Sequence, residues 1–230
     1  MLSYLLFWTF VYNFTRFISY NSKKKYLKDW SSNKDSKTLS FYAVSTAHSL
    51  IMSTVPVYFL YKSYISDTFD LIKPFDKNEI KLINLSLSYF IWDFYYICSH
   101  YDYLIFIHHT LGIIYMMIFK SYPLSNLFMV SILLPEITTP LLNIWSLGKI
   151  KKYNYFDKIN TFFTCFYIFI RIFCIIPFSI YSFIELYNSS LIPKEVTLSL
   201  IGLTGFYCFG NIMWSRKIVK GYKKWLRKFK

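Results

Sequence analysis

Long apolar stretches separated by short polar links run through this chain. Each is close to the ~20 mostly apolar residues that a membrane helix needs. They cover residues 2–19, 39–61, 82–98, 103–119, 124–142, 159–186 and 196–214. The first is the weakest, because Thr9, Asn13, Thr15 and Arg16 interrupt it. The pattern predicts an all-α, polytopic transmembrane bundle of about seven spans, six of them forming a core and one added at the N-terminus. No internal repeat, Gly/Ser linker or second domain is visible. The expected organisation is an N-terminal span with a basic loop over 1–38, a membrane domain over 39–214 and a basic tail over 215–230. The start is apolar from Leu2, without a basic leader or a small-residue cleavage site, and reads as a retained segment.

Composition agrees with this reading. Charged residues make up 17% of the chain and hydrophobic ones 55%, whereas an ordinary soluble domain carries about 25% charge. Too few polar residues are present to wet a soluble surface. The formal net charge of +14 raises nucleic-acid binding as a class. The distribution of that charge excludes it, because the cations sit in short clusters flanking apolar segments. Four cysteines, Cys98, Cys165, Cys174 and Cys208, all fall inside apolar segments and read as buried small hydrophobes.

Loop charge gives orientation. The first loop holds Lys23, Lys24, Lys25, Lys28, Lys34 and Lys37 against Asp29 and Asp35, a net of +4. The second balances Lys62, Lys73, Lys77 and Lys81 against Asp67, Asp70, Asp76 and Glu79. The tight third turn holds Asp102 and the fourth Lys120. Lys149, Lys151, Lys152 and Lys158 against Asp157 make the fifth +3, and the sixth is −1. From Ser215 onward there are eight basic residues and no acid. Under the positive-inside rule the first loop, the fifth loop and the tail are cytosolic. An odd span count places all three on one side, and losing the weak first span would not change that. The tail is also expected to meet anionic lipid headgroups.

Ionisable residues at membrane depth carry the candidate chemistry, since each costs roughly 2.5–3.5 kcal/mol on insertion scales. They are His48, Asp93, the adjacent pair His108 and His109, Glu136 and Arg171, spread over five consecutive spans. That distribution points to one shared polar interior. Neighbouring helix positions differ by about 100°, so the two histidines cannot do the same job. One imidazole can serve as a general base with Asp93 fixing its tautomer. Equally, both can simply hydrogen-bond between helices, and spacing leaves the two readings level. Metal binding is not expected, because no second pair at helical spacing and no cysteine lies nearby. Glu136 sits between Pro135 and Pro140, which should kink or open its helix. Asn143, seven residues on, shares its face, with Thr139 or Pro140 between them, and Thr139 and Asn143 are candidate cavity residues. Arg171, followed by Pro177, reads as a partner for Glu136 or Asp93, ahead of substrate contact. Trp8, Trp145 and Trp214, near span ends, read as interfacial anchors.

Ser45-Thr46-Ala47-His48, Tyr89-Phe90-Ile91-Trp92-Asp93, His108-His109 and the run Glu136, Thr138, Pro140, Asn143, Trp145, followed by Arg171 and Pro177, resemble the TLC (TRAM, LAG1 and CLN8 homology) domain family. The resemblance runs from about residue 39 to the last span. It is stronger to the small TLC domain-containing proteins than to the ceramide synthases. It implies a helical bundle of endoplasmic reticulum-type membranes concerned with lipid handling. The terminal Arg227-Lys228-Phe229-Lys230 resembles a basic retrieval signal of that compartment. The expected function is lipid binding or lipid homeostasis in a polar intramembrane cavity formed by His48, Asp93, Glu136, Thr139, Asn143 and Arg171, with no assigned reaction. By analogy with ceramide synthases, the alternative is acyl-CoA-dependent N-acyl transfer, with His108 and His109 as the reactive pair and acyl-CoA as co-substrate. Only one acid, Glu136, stands where those enzymes carry two close aspartates. A cargo receptor or structural membrane protein is a further alternative. No cofactor and no nucleic acid is expected, and membrane lipids are the expected partners.

Overall fold

The computed structural model describes residues 1–22, 33–65, 72–98, 103–128, 130–131, 134–151 and 155–227. Among these residues there are helices and no strands. The helices are α1 Leu2–Ser22, α2 Asn33–Ile65, α3 Lys77–Cys98, α4 Tyr103–Ser121, the short α5 Ser125–Phe128 and α6 Thr139–Lys151. They continue with α7 Tyr155–Ile168, α8 Ile175–Asn188 and α9 Lys194–Leu226. A 3₁₀ turn, Leu134–Thr138, leads directly into α6, and a π-helical segment, Phe169–Cys174, joins α7 to α8. Lys23, Lys24, Lys25, Lys28, Asp29, Asp67, Asp70, Asp102, Lys152, Lys228, Phe229 and Lys230, used above for loop charge and the retrieval signal, lie outside the described residues.

The bundle buries many polar side chains beside an apolar core that includes Ile83, Leu87, Met116 and Phe119, and it leaves large apolar side chains exposed. Leu6, Phe10, Phe14, Phe162, Phe169, Phe173, Leu198, Phe206 and Phe209 are exposed, while Ser40, Ser45, His48, Ser49, Ser86, Asp93, His109 and Arg171 are buried. An apolar outside with polar groups inside suits a lipid solvent. Buried hydroxyls are satisfied within their own helices: Ser40 donates to Ser36 O at 2.8 Å, and Thr164, Ser179 and Ser182 donate to the carbonyl four residues back, also at 2.8 Å. The continuous helix Phe156–Asn188 and helix α9 are each long and apolar enough to cross a membrane.

Several boundaries differ from the apolar pattern for identifiable reasons. Helix α3 starts at Lys77 rather than at residue 82, because Asp76 and Glu79 form a reciprocal cap. The Glu79 and Asn78 N–H groups donate to Asp76 Oδ1 at 2.8 and 2.7 Å, and the Asp76 N–H donates to Glu79 Oε2 at 2.7 Å. Lys73 completes the cap with an ion pair to Glu79 at 3.3 Å. The run 124–142 is broken, as its prolines imply. Pro140 lies in the first turn of α6, where a missing N–H costs nothing. Helix α9 continues past residue 214, so the basic segment is helical as far as Leu226. At 33 residues it is about 50 Å long, well beyond a hydrocarbon core of ~30 Å.

Two sequence expectations are corrected. Trp8 is no interfacial anchor but is fully buried, donating from Nε1 to Ser88 Oγ at 3.1 Å and packing α1 onto α2 and α3. Three of the four cysteines are not core residues: Cys165 is exposed, and Cys174 and Cys208 are half-buried, while the side chain of Cys98 lies outside the described ones. On a lipid-facing helix a small apolar side chain meets acyl chains as readily as protein.

Candidate functional site

Helices α2, α3 and α4 bring His48, Asp93 and His109 together. Asp93 Oδ2 is 3.1 Å from His109 Nε2 and accepts a 3.5 Å hydrogen bond from the Tyr89 hydroxyl. Tyr89 lies one helical turn before Asp93, so both project from the same face of α3. The His48 ring stacks on Tyr89 with centroids 3.7 Å apart and an interplanar angle of 12°, and its Nε2 pairs with Ser86 Oγ at 3.4 Å. Trp8 closes this cluster edge-on, 5.7 Å from His48 and 5.5 Å from Tyr89. The result is a buried chain of groups, His48, Tyr89, Asp93 and His109. Asp93 Oδ1 and the Nδ1 atoms of both histidines have no hydrogen-bond partner among the described residues.

The adjacent histidines separate, as a 100° step requires. Their rings are 5.4 Å apart and nearly perpendicular at 86°. His109 turns to Asp93, whereas His108 turns toward α9, lying 6.3 Å from Tyr207 and 5.4 Å from Trp214. His108 lines a cleft of about 290 Å³ between α4 and α9, together with Phe90, Gly112, Glu136, Leu203 and Gly210. Its walls are mainly apolar. His108 and Glu136 are the sequence candidates on this surface; the others predicted for the cavity lie behind it or elsewhere.

Arg171 is held by a second network. Its π-helical segment is explained by Pro177, which has no N–H to return to Phe173 O and whose ring disfavours that carbonyl's ordinary position. The Ile175 N–H reaches back five residues to Ile170 O, the bond of a π-helix. Inside the bundle, Arg171 Nε donates to Thr138 Oγ1 at 3.1 Å, and Nη1 donates to Asn211 Oδ1 at 3.1 Å and to Tyr207 Oη at 3.4 Å. The guanidinium also lies over the Tyr167 ring, 5.4 Å from its centroid. Glu136 is close enough for its charge to act on Arg171, yet the described ion pairs are only Lys73–Glu79 and His109–Asp93. Its carboxylate also lies within electrostatic range of Tyr89 and Asp93. Glu136 therefore stands between the two networks, on the wall of the cleft.

The residues that follow Glu136 tie the broken span to its neighbours. Thr138 accepts from Arg171 while donating to Pro135 O at 3.0 Å. Asn143 points to α2, its Nδ2 donating to Thr46 Oγ1 at 2.9 Å and Ser45 Oγ at 3.1 Å. Trp145 donates to Asn160 Oδ1 at 2.8 Å and stacks on Phe163. The sequence reading gives Tyr89 no role beyond its motif and does not single out Ser86, Tyr207 or Asn211. The spacing of Tyr89 from Asp93, and of Tyr207 from Asn211, four residues in each case, was the available signal.

Gly112 permits the close α3–α4 contact. A Cβ there would lie 2.7 Å from Phe90 Cε1, and Phe90 is buried. Gly112→Ala is therefore expected to cost about 1–3 kcal/mol by overpacking, measured by thermal unfolding in detergent. An unchanged melting temperature would mean that the Phe90 wall yields freely.

A helical bundle with an apolar exterior, a polar interior and helices long enough to span a bilayer defines a membrane protein. The chain matches the TLC domain family over residues 38–220 and belongs to that family. No curated protein matches it.

Proposed function

We propose that this TLC domain protein binds a membrane lipid, with part of one acyl chain in the α4–α9 cleft and the lipid's polar end at His108 and Glu136. It would sit in an endoplasmic reticulum-type membrane with about seven spans and its C-terminal end in the cytosol. The observation that carries the reading is the cleft itself. Its volume of about 290 Å³ is near the lower end of small-molecule sites, which suits a chain segment rather than a whole lipid. Mainly apolar walls with a few polar groups, His108 and Glu136 among them, suit an amphipathic ligand.

Gly210 offers a direct test. A Cβ there would have nothing within 4 Å, although the residue lines the cleft. The Cβ of Gly210→Phe therefore meets open space, its ring should occupy the adjoining cleft, and replacing a helical glycine should add rather than remove stability. The wild-type protein, purified in mild detergent, should retain a lipid class enriched over the bulk extract when analysed by mass spectrometry. The variant should lose at least tenfold of that lipid at an equal or higher melting temperature. An identical lipid complement in the two proteins would sink the proposal.

One observation favours the N-acyltransferase alternative: the His108 imidazole faces the cleft and makes no hydrogen bond to a described residue. As a base it would take the proton of an attacking amine as the N–C bond forms, and return it to the thiolate as the acyl C–S bond breaks. Labelled acyl-CoA and a sphingoid base, supplied to wild-type, His108→Ala and His109→Ala proteins, test this. Product that vanishes with His108→Ala supports it, and absence of product from the wild type rejects it for those substrates.

A further inference from the structure

A second groove lies away from the cleft, between the α7 end of the long helix and the C-terminal half of α9. Its floor is apolar, with Ile168, Ile172 and Ile212. Along its rim stand Arg216, Lys220, Lys223, Lys224 and Arg227, around a volume of about 750 Å³. Positions 216, 220, 223 and 227 follow the 4-3-4 spacing that keeps side chains on one helical face. All of these cations are exposed, and none forms an ion pair with a described residue.

The local acid is already engaged. Asp157 Oδ1 accepts from Trp225 Nε1 at 2.6 Å, and the Tyr222 and Thr161 hydroxyls pair at 3.1 Å. These contacts dock the end of α9 on the start of α7 and hold the cationic face in place. The groove thus has a fixed wall, a positive rim with no ion pair to a described residue, and an apolar floor. Beyond the floor, the exposed side chains of Phe169, Phe173 and Phe209 continue the lipid-facing surface.

We infer that this groove holds an anionic phospholipid, with its phosphate among Arg216, Lys220 and Lys223 and its acyl chain along Ile168, Ile172 and Ile212. Charge complementarity selects an anion, and the apolar floor selects a lipid over a soluble phosphate. The site is separate from the α4–α9 cleft and stands whether or not the cleft binds a ligand.

The test is native mass spectrometry of the full chain in detergent, titrated with dioleoyl phosphatidylserine or dioleoyl phosphatidylcholine. Wild type should retain the serine lipid preferentially. Lys220→Gln/Lys223→Gln should weaken that binding by about 25-fold, the sum of two surface cations' contributions. The matched control Lys77→Gln/Lys81→Gln removes two exposed cations from the start of α3 and should leave it unchanged. Soluble glycerophosphoserine and inorganic phosphate at millimolar concentration should not displace the lipid. Equal retention of both lipids, an equal loss in the control or displacement by the soluble anions would each overturn the inference.

Discussion

Arg171→Met should destabilise the folded bundle by about 3 kcal/mol, read as loss of unfolding free energy in detergent. Two opposing effects decide the size. Removing a cation from membrane depth returns some of the roughly 2.5–3.5 kcal/mol that its insertion cost. Against this, Asn211 Oδ1 loses its Arg171 donor, the Tyr207 oxygen loses a second, and Thr138 Oγ1 keeps only its bond to Pro135 O. Each orphaned buried group costs about 1–3 kcal/mol, and Glu136 loses its facing cation. The losses exceed the relief. Arg171→Lys should recover only part of the stability, because one ammonium cannot reproduce a planar fork reaching Thr138 and Asn211 from different nitrogens. Adding Glu136→Gln to Arg171→Met should restore about 1 kcal/mol by removing the unbalanced carboxylate. If Arg171→Met unfolds like the wild type, Arg171 is not a structural clamp, and substrate contact becomes its better explanation.

That clamp shows where sequence reading reaches its limit. Hydropathy located most helical regions, because long apolar runs leave few other solutions, but the run 124–142 divides among α5, the 3₁₀ turn and α6. Charge and proline placement also marked the interior residues that matter, including Glu136 between its two prolines. Pairing was less accessible. Arg171 is indeed near Glu136, but its hydrogen bonds go to Thr138, Tyr207 and Asn211, neutral residues that no charge count singles out. Asn143 shares a nominal face with Glu136, yet its hydrogen bonds go to Ser45 and Thr46 of α2 and not to the Arg171 network. Helical spacing can predict a face but not the neighbour it meets. Likewise, the π-helical segment follows from Pro177 only once the chain is seen to continue as one helix through it.

Trp8→Ala is expected to cost about 3 kcal/mol, although Trp8 precedes the 38–220 segment matched by the family. In water much of a buried tryptophan's contribution is transfer from solvent. In a bilayer lipid replaces part of that term, so packing and hydrogen bonding must supply most of the effect. Both are present here: Trp8 is fully buried and its indole N–H reaches Ser88 Oγ and Leu85 O. Trp8→Phe keeps most of the volume and loses the donor, so it should cost about 1 kcal/mol. The difference between the two variants measures packing. Removing the indole should also uncover the His48–Tyr89 stack, so diethyl pyrocarbonate should modify His48 faster in Trp8→Ala than in Trp8→Phe or wild type. Accelerated modification with only a moderate loss of stability would make α1 a working wall of the polar cluster, supplied from outside the family's shared domain. Unchanged stability and unchanged His48 reactivity would instead reduce α1 to a membrane anchor that touches the bundle without closing it.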